Sequence, residues 1–199
     1  MNQIVFRVKE RFMDDRTFEK VRKRISEIIV QSPYPEEPFH SINTLEWLLK
    51  LYPEADRALQ IAALGHDIER AVPSRKIHAS NYDTYDDYMN AHAQNSAEII
   101  AEVLKECGVG RDMIEEIAFL VSQHETGGGE RLDYLMNADV LSFFHVCLPL
   151  YFDRKGPELT RKRMVWGFKK LSAESREKVS EIDFPDEELR ELVRETVGQ

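Results

Sequence analysis

The run Ala58-Leu59-Gln60-Ile61-Ala62-Ala63-Leu64 leaves a helix almost no polar face to turn toward water. A helix apolar nearly all round belongs at the centre of a bundle, wrapped by other elements. The rest of the chain supplies the wrapping. Phe18, Val21, Ile25, Ile28 and Ile29 recur at helical spacing, with Asp14, Asp15 or Thr17 as the cap. A second stripe begins near Phe39 and runs through Ile42, Leu45, Leu48 and Leu49, stopping before Pro53. The apolar helix is expected over about 54 to 70, and residues 71 to about 87 read as a Pro-, Ser-, Asn- and Asp-rich loop. Helical spacing returns at Ala97, Ile100, Val103, Leu104 and Cys107, with Gly108 as terminator, and again at Ile114, Ile117, Ala118 and Val121. After the break at Gly127-Gly128-Gly129, a helix is expected from 132 to about 151, followed by C-terminal helices over about 157–197. Period-two alternation is missing throughout, so the expectation is an all-α, single-domain helical bundle over 1–199.

Composition narrows the class of partner. The formal net charge of −9 repels a phosphate polymer and argues against nucleic-acid binding. A small anion is still admissible, because a local group of cations or metals reverses the field inside one pocket. Arg7, Lys9, Glu10 and Arg11 fall where the apolar core of a secretory signal would lie. No apolar run approaches the ~20 residues of a membrane span. The expectation is a cytoplasmic protein without a membrane partner, its oligomeric state open. Cys107 and Cys147 are too few for a disulfide framework and read as reduced core residues.

The informative residues are polar groups placed where an apolar core would be cheaper. His66 and Asp67 end the most apolar helix, and Asp139 interrupts Tyr134-Leu135-Met136-Asn137-Ala138-Asp139-Val140-Leu141. A buried carboxylate without a partner costs several kcal/mol or takes up a proton. His40, His92 and His124, each at or near an end of an expected helix, can supply partners. Each also has a plainer role: His40 as a cap, His92 on a solvated face, His124 against a helix dipole, Asp139 paired with Arg70. Histidine and carboxylate together suit Fe, Mn, Co, Ni or Zn, and Mg is admissible.

The order His, His-Asp, His, His and distal Asp resembles the HD-domain superfamily. The matching stretches are Phe39-His40-Ser41, Gly65-His66-Asp67-Ile68-Glu69-Arg70, Ala91-His92-Ala93, Gln123-His124-Glu125 and Asn137-Ala138-Asp139. The resemblance covers about half the chain and sets a metal-site core at about 38–146. It implies an HD-type helical fold in which His40, His66, Asp67 and Asp139 hold one metal. His92 and His124 would hold a second, with Asp67 bridging, as in the binuclear branch. Many members carry Lys four residues after the first His of the dipeptide, where this chain has Arg70. Arginine offers a planar fork and does not shuttle protons, so Arg70 is expected to bind a substrate oxygen or stabilise developing charge.

The implied activity is phosphohydrolysis of a nucleotide or another small phosphate ester or anhydride, by a hydroxide activated on two metals, with Asp67 and Arg70 as catalytic residues. A branch of the same superfamily implies a second reading, a mixed-valent di-iron oxygenase. A non-catalytic metal-dependent sensor is a third. Weaker features are the loop with Arg75, Lys76, His78, Tyr82, Tyr85 and Tyr88, which could cover the pocket, and Arg161, Lys162 and Arg163, which read as a charged helix face. His145 is expected to be a hydrogen-bonded core residue.

Overall fold

Asp14 opens the first helix among the described residues: its carboxylate accepts from the Thr17 N–H at 2.7 Å, and α1 runs Asp15–Ile29. The computed structural model describes residues 13–197, which are helical with no strand among them. The charged segment 1–11, used above against a secretory signal, lies outside the described residues. Helices α2 (Glu37–Leu51) and α3 (Arg57–Gly65) follow, then short 3₁₀ turns at Ile68–Ala71, Pro73–Arg75 and Ala79–Asn81. Next come α4 (Tyr85–Cys107), α5 (Arg111–Ser122) and α6 (Glu130–Ser142). A π-helical turn, Phe143–Cys147, leads into α7 (Leu148–Lys170), α8 (Ala173–Val179) and α9 (Glu187–Val197).

The apolar helix takes the central place its composition demands. Leu59, Ile61, Ala62 and Ala63 are fully buried, and α3 is touched by α1, α2, α5 and α6. Gly65 permits a close approach: a Cβ there would lie 2.7 Å from Ile100 Cδ1 on α4. The helix stops at Gly65, earlier than the expected 70. The His66 ring explains the stop. Its Nδ1–H donates to the Ala63 carbonyl at 2.9 Å, the acceptor that the Asp67 N–H would use in a continuing α-helix. Asp67 then leaves helical geometry (φ −103°, ψ 16°) and the chain tightens into the 3₁₀ turn.

Thr84 begins α4 by accepting from the Asp87 N–H, so the expected loop ends a few residues earlier and His92 lies well inside a helix. The helix expected to end near 151 runs on through the π turn to Lys170. It bends at Gly156, whose φ of 74° is open to glycine and strained for other residues, just before Pro157. The expectation that no apolar stretch approaches a membrane span needs correcting. The run Glu130–Lys170 contains a window of mean hydropathy 1.3, but that window is 61% buried against the rest of the fold, as a core helix is. His145 is also corrected: the π turn, with one residue more per turn, leaves it exposed and edge-on to Trp47.

Candidate metal centre

Four imidazoles converge from four places in the chain. His40 stands in the first turn of α2, His66 at the C-terminus of α3, His92 inside α4 and His124 just past α5. All four are buried, as is Asp67, while Asp139 on α6 is 15% exposed at its side chain and opens onto a cleft. Each ring is oriented by what its Nδ1 meets. His66 and His124 donate to the carbonyls three residues back, Ala63 at 2.9 Å and Val121 at 2.7 Å. His92 Nδ1 meets Glu69 Oε2 at 2.8 Å. His40 Nδ1 meets Ser142 Oγ at 2.8 Å, and that hydroxyl spends its own proton on the His40 carbonyl at 3.1 Å, so it accepts from the ring.

With every Nδ1 carrying a proton, each neutral ring turns an Nε2 lone pair inward. His40 Nε2, His66 Nε2 and Asp139 Oδ1 form a triangle with sides of 3.2, 3.1 and 3.3 Å. Ligand atoms about 2.1 Å from one ion lie about 3.0–3.4 Å apart at tetrahedral to near-octahedral angles. The triangle has that spacing. His66, Asp67 and His124 form a second group able to hold an ion, and His124, Glu125 and Asp139 a third. His124 Nε2 is buried with no hydrogen-bond partner, although it lies 3.8 Å from Asp67 Oδ1 and 3.5 Å from Glu125 Oε1. Inward lone pairs facing carboxylates need either a cation or added protons between them.

The electrostatics give the same answer. Burial alone would lower the pKa of His40, His66 and His92, yet their neighbours raise all three: Cys147 and then Asp139 for His40, Asp67 and Asp139 for His66, and Asp67 with Glu69 for His92. For His92, burial is outweighed by Asp67 and by hydrogen bonds to Asp67 and Glu69, which push it up to about 9. Burial raises Asp67 and Asp139, but Arg70, His66 and His92 around the first, and His66 and His40 around the second, hold both well below the usual carboxylate range. Positive charge is what this pocket stabilises. A buried His/Asp/Glu cluster of this kind can hold a metal ion.

All six residues singled out as ligands by the sequence therefore meet in space. His92 joins through its Nε2, 2.7 Å from Asp67 Oδ1, a hydrogen-bond spacing and shorter than that between two ligands of one ion. Arg70 is beside them: Nε lies 3.1 Å from Asp67 Oδ2 and Nη1 3.2 Å from Glu37 Oε1. Its side chain shares a face with Asp67 despite the early end of α3, because a 3₁₀ turn eclipses positions three apart. Asp139 meets His40 and His66 and makes no pair with Arg70.

Other contributors carried no local signal. Glu69 orients His92, and its second oxygen accepts from the Ile77 N–H at 2.7 Å. Glu125 is held by Lys170 at 2.5 Å, and Glu36 by Arg154. The cleft, about 320 Å³, is lined beside the ligands by Arg70, Tyr85, Tyr151, Arg154, Lys155 and Arg163. Of the aromatic loop, Tyr85 reaches it, whereas Arg75 pairs with Glu98 and Glu102 and Lys76 with Tyr34. Arg161 and Lys162 are a paired helix face, bound to Glu195 and Glu158, but Arg163 turns into the cleft. The glycine run breaks the chain as expected; Gly127 packs against the Asp133 and Met136 side chains of α6, and the Gly128 N–H donates to Asp133.

A family model described as a domain of unknown function (DUF4202) matches residues 18–193. No curated protein and no solved structure matches the chain.

Proposed function

We propose that the chain, which belongs to the DUF4202 family, is a metal-dependent phosphohydrolase of the HD-domain kind acting on a small phosphate ester or anhydride. The carrying observation is the convergence of His40, His66, Asp67, His92, His124 and Asp139, with their Nε2 lone pairs and carboxylates turned inward beside a cationic cleft. The resemblance in residue order supports an HD-type bundle and a binuclear arrangement. Two divalent ions, bound here, would supply an activated water at neutral pH and an electrostatic hold on phosphoryl oxygens.

The chain's own groups have distinct tasks in this reading. His40, His66 and Asp139 face one ion position, and Asp67 with His124 faces another. Glu69, Ser142 and the two backbone carbonyls fix the rings so that their basic nitrogens stay aimed at those positions. Arg70, pinned by Glu37 and Asp67, presents a permanent charge to a non-bridging phosphate oxygen and donates no proton. Burial of the ligands excludes bulk water and strengthens these interactions. The partner is then a small phosphorylated compound and not a nucleic-acid polymer.

Elemental analysis of protein purified without chelator tests the first half of the proposal, and the second is tested by a panel of phosphate compounds with Mn, Mg, Co and Fe. About two equivalents of metal and release of phosphate are expected. A metal-loaded protein that releases none, and that consumes oxygen only with partly oxidised iron, would replace hydrolysis with oxygenation.

A further inference from the structure

The acids around the cleft are matched: Glu36 by Arg154, Glu37 by Arg70 and Glu125 by Lys170, while Asp67 and Asp139 face the ligand histidines. Two cations lining the same cleft have no carboxylate partner among the described residues, Lys155 and Arg163, both on α7. Lys155 is exposed and stands one residue before the bend at Gly156. Arg163 is held firmly. Its guanidinium carbon lies 4.0 Å from the centre of the Phe143 ring and 4.5 Å from that of Trp166. Gly167, one turn on, leaves it room, since a Cβ there would come 3.3 Å from Arg163 Nη1.

Trp166 is fixed in turn, donating to Asp86 at 2.8 Å with Tyr85 edge-on at 5.0 Å. The guanidinium is therefore placed before any ligand arrives, which lowers the entropy lost on binding. Its Nη1 is buried and makes no hydrogen bond. A buried donor left unpaired costs free energy, and the guanidinium that carries it lines the cleft. A fixed arginine fork and an exposed lysine lining one cleft suit a group of charge about −2, as a phosphate monoester carries, better than a carboxylate.

We propose that Arg163 and Lys155 form a second anion subsite in the cleft and that the substrate is a small molecule bearing two phosphoryl groups, one presented to the ligand cluster and one held on α7. This rests on the phosphohydrolase reading for the fate of the first phosphoryl group. At about 320 Å³ the cleft is at the small end for a ligand site, which favours a sugar-sized bisphosphate over a dinucleotide.

The test compares glucose 1,6-bisphosphate with glucose 6-phosphate, and pyrophosphate with inorganic phosphate, on metal-loaded protein. KM is measured for compounds that turn over, and calorimetric affinity for those that do not. At least one bisphosphorylated probe is expected to bind about tenfold or more tightly than its partner. Arg163→Gln and Lys155→Gln should each erase most of that preference, with metal content, melting temperature and affinity for the singly phosphorylated partner near wild type. Arg163→Lys should restore part of it. Lys155 is exposed, so its variant tests the subsite even if Arg163→Gln fails to fold. A preference that disappears in the variants while no compound is hydrolysed would keep the subsite and overturn the hydrolase reading. Equal affinity within both pairs, or a preference intact in both glutamine variants, would overturn the subsite.

Discussion

His92 reaches the ligand cluster because Glu69 holds the far side of its ring. Glu69 is buried, and its two oxygens are engaged by His92 Nδ1 and the Ile77 N–H, so it links the ring that meets Asp67 to the backbone of the following loop. Glu69→Gln keeps the shape and removes the charge that orients and polarises the imidazole. Loss of such an outer partner lowers metal affinity by about 10–100-fold. Metal titration of Glu69→Gln should show one weakened equivalent and one near wild type; two unchanged equivalents would make Glu69 a purely structural residue. Arg70 calls for a different readout, because it touches Asp67 without being able to ligate. Arg70→Lys retains charge but loses the fork and should keep partial turnover. Arg70→Ala should lose about 2–4 kcal/mol of transition-state stabilisation, the range for removing one charge-stabilising donor. Metal content should be unchanged in both, and wild-type turnover in Arg70→Ala would leave the residue a partner of Glu37 and nothing more.

At the scale of elements, the position of the cluster depends on how closely α3 approaches α4. Gly65 lacks the atom that would strike Ile100 Cδ1 at 2.7 Å, and Ile100 is itself fully buried. Gly65→Ala should destabilise the fold by about 1–3 kcal/mol through overpacking. Ile100→Val, which deletes the struck methyl, should cost about 0.5–1.5 kcal/mol alone. The double variant should then cost clearly less than the two together, because the clash and the deletion meet at one atom. Denaturant unfolding of the four proteins checks this, and simple additivity would mean that the helices separate instead of clashing. The apolar run that places α3 at the centre is local and was readable from the sequence, as were His66, Asp67 and Asp139 as polar residues in apolar helices, whereas His40, His92 and His124 stood out only through the resemblance in residue order. The stop at Gly65 was not readable, because it depends on the His66 ring taking a backbone acceptor. Glu69, Ser142 and Glu125 were equally silent, and Arg163 read as part of a charged helix face: each acts on a residue at least 20 positions away or on a pocket that exists only once α7 has packed. The π turn at Phe143–Cys147 left no mark in the helical spacing that a single extra residue per turn would make visible.

At the scale of the whole molecule, the groups among the described residues that are able to hold an ion share members at one place. His66 belongs to two of the three groups able to hold an ion, and it ends the helix at the centre of the bundle. Metal bound there ties α2, α3, α6 and the end of α5 to one point, and the native state alone presents that arrangement. A ligand that binds only the native state stabilises it by about 2.7 kcal/mol when free ligand stands at 100 times the dissociation constant. For a chain of this length each kcal/mol moves the melting temperature by about 2–4 °C. Chelation should therefore lower the wild-type melting temperature by about 5–11 °C, the product of those two figures, and re-addition of Mn, Co or Zn should restore it. His66→Gln removes a ligand from both groups, so its melting temperature should already be low and should respond little to chelator or metal. Calorimetric scans of both proteins, with and without chelator, give the comparison directly. A wild-type protein confirmed to contain metal, yet melting at the same temperature after complete chelation, would mean that protons settle the inward lone pairs as well as a cation does and that the metal adds nothing to the fold.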